Sequence, residues 1–238
     1  MKADLGLQLC GRYAFAPNLL HYCGPEKQSD LLGYLHEQWT DRGLSDILTQ
    51  FDTLYTYLVL IASENNITDP FDRRVVEAYW LGNSLTLNVK KSALVTHVED
   101  ALAIRKKMTM SDFSELATSL MSHGMPTHTD HVLSIYIRTG HHAITHTLNT
   151  MDQCRISWGK VKSVNEFTAI ASVQPLIYEN ESLHLGVPQF KTLTCVDVLP
   201  TVGDWVSIHW GYVCAVLSAV QVRNLRTFTL RALNGLKQ

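Results

Sequence analysis

The chain has 238 residues, 46% apolar and 18% charged, enough for one large domain or two small ones with a real core, and this balance excludes extensive disorder. A formal net charge of −2 without a Lys/Arg run excludes an electrostatic footprint for nucleic acid or a membrane surface. The start, MKADLGLQLCGRY, has no apolar signal core, and apolar stretches such as residues 57–62 and 212–222 are too short or too interrupted to span a bilayer; a cytoplasmic chain without membrane insertion is expected.

The first 150 residues read as helical. Residues 30–39 place Leu31, Leu32, Leu35 and Trp39 at helical spacing, and residues 45–63 carry Ile47, Leu48, Phe51, Leu54, Tyr55, Leu58 and Ile61 on one broad face. Thr68-Asp69-Pro70 predicts a helix start, with the helix running through Val75, Val76, Tyr79 and Trp80 to Gly82-Asn83. Residues 97–107 form a further amphipathic segment, and Ser111 is the expected N-cap of a helix over 112–122. Together these segments predict a compact helical bundle.

After Cys154 the period changes. Val161, Val164, Phe167, Ala169, Ala171 and Val173 suggest strands with a turn near Val164-Asn165-Glu166, and Glu179-Asn180-Glu181 reads as the turn of a hairpin. Residues 190–198 form another β-rich run, Gly203-Asp204 is a turn, and 205–217 reads as one long strand-like stretch before a helix over 219–236. The fold class is therefore α+β: an N-terminal helical bundle, then a small OB-like β-barrel with a C-terminal helix, with the domains divided as 1–150 and 151–238.

Five cysteines, an odd number without CxxC spacing, argue against a disulfide framework or a four-cysteine zinc site. Cys23 precedes Gly24-Pro25 at an expected helix start, where the helix dipole would lower a thiol pKa; it is a candidate catalytic nucleophile, with Asp30, His21 or His36 as companions. Seven of the eleven histidines fall between His97 and His146. Among them His128 and His131 are three apart, and His142 and His146 have helical i, i+4 spacing, so these four form a candidate metal site. Glu77, Tyr79 and Asn83 span under two helical turns and are candidates for lining a pocket between the halves.

Two segments of the second half carry a resemblance. One is Cys154-Arg155-Ile156-Ser157-Trp158-Gly159-Lys160-Val161; the other is Gly203-Asp204-Trp205-Val206-Ser207-Ile208-His209-Trp210-Gly211-Tyr212. In order and offsets they resemble the HypC family of hydrogenase-assembly chaperones, whose cysteine, glycine and valine open the chain and whose Gly-Asp-aromatic-Val and His-x-Gly-aromatic segment precedes a C-terminal helix. The resemblance covers the C-terminal third, and the helical half has no counterpart in it. It implies a maturation factor for nickel-iron hydrogenase that assembles or delivers the iron centre Fe(CN)2CO, with a hydrogenase large-subunit precursor or a HypD-like scaffold as partner. It also implies that Cys154 and His209 contact the iron or the partner's metal site. A thiolate suits low-spin iron with strong-field ligands, and a nearby imidazole can take the thiol proton or bond a cyanide nitrogen. The alternatives are an iron-dependent or Cys-dependent enzyme that supplies a ligand for the hydrogenase site, and an adaptor without metal whose barrel only shares the chaperone fold.

Overall fold

The computed structural model of the protein describes residues 5–136 and 147–236. The helical half contains α1 (Leu5–Leu19), α2 (Gln28–Glu37), α3 (Arg42–Leu48), α4 (Asp52–Glu64), α5 (Arg73–Leu81), α6 (Ser84–Asn88), α7 (Lys91–Asp100) and α8 (Met110–Ser122). A single turn, α9 (His128–Asp130), continues into a π-helical stretch over His131–Tyr136. Helix α10 (Leu148–Cys154) then leads into the strands β1 (Ser157–Val164), β2 (Thr168–Val173), β3 (Leu176–Glu179), β4 (Ser182–Leu185), β5 (Gln189–Thr194), β6 (Trp205–His209) and β7 (Tyr212–Leu217), and α11 (Ala219–Gly235) follows. The α+β class holds.

Several local expectations change. The single face over 45–63 is two helices, because Phe51, fully buried, turns the chain between α3 and α4. Asp69 does not start α5; its carboxylate accepts from the Phe71 N–H, and Asp72 makes the cap by accepting from the Arg74 N–H at 2.8 Å. The segment over 97–107 is the end of α7 followed by a short 3-10 turn, and α8 is capped by Thr109 rather than Ser111. Helix α1 lacks a helical apolar stripe to announce it, since nearly all of its side chains are buried and it has no polar face of any width.

The barrel is closed in the order β1-β2-β5-β7-β6, antiparallel except where β5 meets β7, and β3-β4 form a separate hairpin. The stretch over 205–217 is two strands, not one. It is broken by Trp210-Gly211, both at positive φ (51° and 79°), the geometry of a tight hairpin turn. Inside the barrel lie Val161, Ala169, Ala171, Val173, Leu193, Val206, Ile208 and Val213. Strand alternation therefore turns Ser207 and His209 outward, onto the face that α1 covers.

The division expected after residue 150 falls inside α10, and one core runs through both halves, joining Tyr13, Trp80 and Leu58 to Trp158, Cys214, Leu217 and Leu225. Arg12 bonds Asp197 at 2.6 Å and the Tyr13 hydroxyl bonds Ser207 at 2.7 Å, both between α1 and the barrel half. Helix α11 returns to α5, where Phe228 lies against Gly82 and Gln221 donates to Glu77 at 3.0 Å. No helix among the described residues is long and apolar enough to cross a membrane.

His97, on α7, is buried against Tyr57 at 4.5 Å between ring centroids, and its Nε2 has no hydrogen-bond partner among the described residues. Burial pushes its pKa down from 6.5 to about 4. The unfolded chain thus takes up a proton near pH 6.5 that the folded chain refuses until about pH 4, so stability falls as pH drops through that window. The expected loss from this residue is about 3 kcal/mol between pH 7 and pH 4. His97→Leu should remove that share, so that urea midpoints of the variant fall less between the two pH values than those of the parent; equal falls would show that His97 is not the titrating group.

Candidate functional site

Between α1, α4, α5 and α9 on one side and α10 and the β6–β7 turn on the other lies a cavity of about 80 Å³. His128, Cys154 and His209 line it, and one ligand-capable atom from each lies within 4.8 Å of the others. Cys23 forms part of the same wall. Ala14, Phe51, Leu54 and Trp80 supply much of the apolar remainder.

Each side chain is placed by a definite local cause. His209 ends β6 on the outer face, is 1% exposed, and lies 2.7 Å through Nδ1 from the Tyr13 carbonyl. A carbonyl only accepts, so Nδ1 carries the proton and the Nε2 lone pair is left free. That Nε2 is buried without a hydrogen-bond partner among the described residues. His128 starts α9, whose cap is Thr127; its Nε2 donates to the Cys154 carbonyl at 2.9 Å, and its Nδ1 accepts from the Tyr79 hydroxyl at 3.1 Å. The two imidazole rings meet edge to face at 5.0 Å.

Cys154 is the last residue of α10, and the first barrel strand begins three residues later at Ser157. The helix is fixed there by Asp152 and Arg155. Arg155 donates to Asp152 at 2.7 and 3.0 Å and to the Gln174 carbonyl at 2.6 Å, while Leu176 N–H and Lys191 each reach Asp152 at 2.8 Å. The Cys154 sulfur lies 3.8 Å from His128 Nε2. The Trp210 N–H bonds the Gln153 carbonyl at 2.9 Å and its ring stacks on Tyr22 at 4.0 Å, which holds a bulky residue at positive φ beside the cavity.

Burial dominates the electrostatics. It pushes the Cys154 thiol up to about 12, with Cys23 nearby adding to the rise. It pulls His209 down to about 4 and His128 well below its ordinary value, in the second case aided by His209 and His131. The pocket at neutral pH therefore holds thiols and neutral imidazoles. These are soft and borderline donors with lone pairs to give, and a metal ion would displace the thiol proton.

Cys154 and His209 line the same cavity, with their ligand-capable atoms within 4.8 Å. His128 joins them instead of grouping with His131, whose Nδ1 lies 3.3 Å from the Tyr57 hydroxyl; His131 lines the cavity but is not one of the three converging donors. His142 and His146 lie outside the described residues. Cys23 is not at a helix N-terminus, since α2 begins only at Gln28, and burial with Asp52 nearby pushes its thiol up to about 11, opposite to the activation expected. Its companions are engaged elsewhere on the surface: His21 with Glu26, Asp30 with Lys27, and His36 exposed on α2. Tyr79 lines the cavity. Glu77 contacts α11 instead, and Asn83 caps α6. Sequence reasoning missed the α1 wall, and the Tyr13 carbonyl that sets the His209 tautomer has no sequence signature at all.

The fold and this site define a class: an α+β protein in which helices and a five-stranded barrel together enclose a pocket of thiols and imidazoles. The chain belongs to the family of unknown function DUF6390, which matches residues 2–238. No curated protein and no solved structure matches it.

Proposed function

We propose that this protein is a cytoplasmic maturation factor for nickel-iron hydrogenase, handling the Fe(CN)2CO centre as cargo on its way to the large-subunit precursor, with a HypD-like scaffold as a further partner. The observation that carries the reading is the meeting of Cys154 and His209, the two residues of the HypC-like motifs, at one cavity. Cys154 offers a thiolate once its proton leaves. His209, with Nδ1–H committed to Tyr13, offers a lone pair at Nε2. That tautomer suits taking the thiol proton or bonding a metal, and does not suit donation to a cyanide nitrogen. The Cys-dependent form of the enzyme alternative needs an ionised Cys23, and burial opposes it.

Hydrogen-uptake activity in cells carrying the hydrogenase tests the reading. Cys154→Ala removes the thiol with little change in volume and should leave a folded protein, while hydrogenase activation falls at least about tenfold and the precursor complex is lost from pull-downs. Cys23→Ala should activate nearly as well as the parent. Normal activation by Cys154→Ala would replace metal handling with the adaptor role, and a selective failure of Cys23→Ala would favour the enzyme.

A further inference from the structure

We propose that His128, from the helical half, completes a metal site with Cys154 and His209, so that this chain holds one divalent transition-metal ion by itself through one sulfur and two imidazole nitrogens. The site deepens the maturation reading; it rests on that reading for the identity of the cargo and not for the binding.

Geometry carries the assignment. The three donors come from α9, α10 and β6, and the ligand-capable atoms lie within 4.8 Å of one another, close to the spread of donors around one ion. Independently, His209 Nε2 is buried at the cavity wall with no hydrogen-bond partner among the described residues, a cost that a ligand would relieve. Its Nδ1–H already makes the backbone bond found behind metal-bound imidazoles. His128 must exchange its Cys154 carbonyl for the ion and move its proton to Nδ1. Tyr79 tolerates that change, because a hydroxyl 3.1 Å away can accept as readily as it donates.

The donor set has a consequence for the ligand class. Three protein donors leave at least one coordination position open, and three in an octahedron, which is the arrangement of a working site rather than a structural one. The open side faces a cavity of about 80 Å³ with mainly apolar walls, room for a few small ligands such as the cyanides and carbon monoxide of the proposed cargo. The exogenous ligand is therefore water, hydroxide or a di- or triatomic species. Cys23 stands in the wall and is not one of the converging donors.

The test uses the full-length chain without a polyhistidine tag, stripped of metal and titrated with Co²⁺ and with Zn²⁺. One tightly bound ion per chain is expected. The cobalt form should show intense tetrahedral bands and charge transfer from one thiolate, and zinc X-ray absorption should give one sulfur and at least two imidazole nitrogens. His128→Ala and Cys154→Ser should each weaken binding at least about tenfold, whereas Cys23→Ser should keep affinity and spectrum. The unsubstituted protein alone can overturn the proposal, whether or not variants fold: no stoichiometric ion, no sulfur, or two sulfurs would do so. Binding that survives both His128→Ala and Cys154→Ser would place the ion elsewhere. Metal binding without any effect of Cys154→Ala on hydrogenase activation would leave this site standing and remove the maturation role; the reverse outcome would remove the site alone.

Discussion

Asp152→Ala is expected to lower the unfolding free energy by about 3–5 kcal/mol, the cost of leaving a buried ion without its partner. Arg155 is 1% exposed, and among the described residues its partners are Asp152 and the Gln174 carbonyl, while its Nη1 has none. Asp152 also accepts from the Leu176 N–H and from Lys191, so its removal strips bonds from β3 and β5 as well as from α10. Burial alone would raise the Asp152 pKa, but Arg155, Lys191 and the Leu176 N–H outweigh it and hold the carboxyl below its ordinary value. Its stabilisation is therefore present above the ordinary carboxylate pKa of about 4 and is lost as pH falls through the lower folded value. Urea unfolding at pH 7 measures the cost. The double replacement Asp152→Leu with Arg155→Met should recover much of it, since the penalty is an unpaired charge more than lost attraction. A single-variant cost below about 1 kcal/mol would mean that water reaches Arg155 and the pair is not sealed. The functional corollary is loosened placement of Cys154, one of the two residues between them.

Gly82→Ala should cost at least about 3 kcal/mol and lower the melting temperature by about 6–12 °C. Gly82 ends α5 at φ 77° and ψ 138°, a conformation that disfavours every side chain, and an added Cβ would run into the ring of Phe228 on α11. Phe228 is 6% exposed and holds the C-terminal helix against the helical half, so displacement of its ring is the larger part of the penalty. Pairing Gly82→Ala with Phe228→Leu should restore room without relaxing the backbone. The double variant should be more stable than the sum of the two single effects by about 1–2 kcal/mol. Strict additivity would show that α11 does not depend on this contact.

How much of this was legible in the chain differs by element. The change from helical to strand periodicity near Cys154, the Asn180 turn, the Gly203 turn and the closing helix all follow from local chemistry, because backbone preference and alternation act over a few residues. Helix starts were less secure. Asp69 and Ser111 are as good in sequence as Asp72 and Thr109, and only the surrounding packing selects between them. The break at Phe51 and the turn at Trp210-Gly211 were hidden inside continuous apolar runs, where residues buried from several sides lose the pattern that marks a boundary.

The sequence by itself determined the class of the fold, because helical and strand periods are set over a few residues; a shared role for Cys154 and His209 was what the resemblance to the HypC family implied. Only the tertiary structure decided that His128 stands with them, that Cys23 shares their cavity, and that the Tyr13 carbonyl sets which nitrogen of His209 is free. The physical reason is that a lone pair becomes available, or a thiol keeps its proton, through burial and through partners far away along the chain. Those partners are brought by the covering of the outer face of β6 by α1, which no local periodicity records.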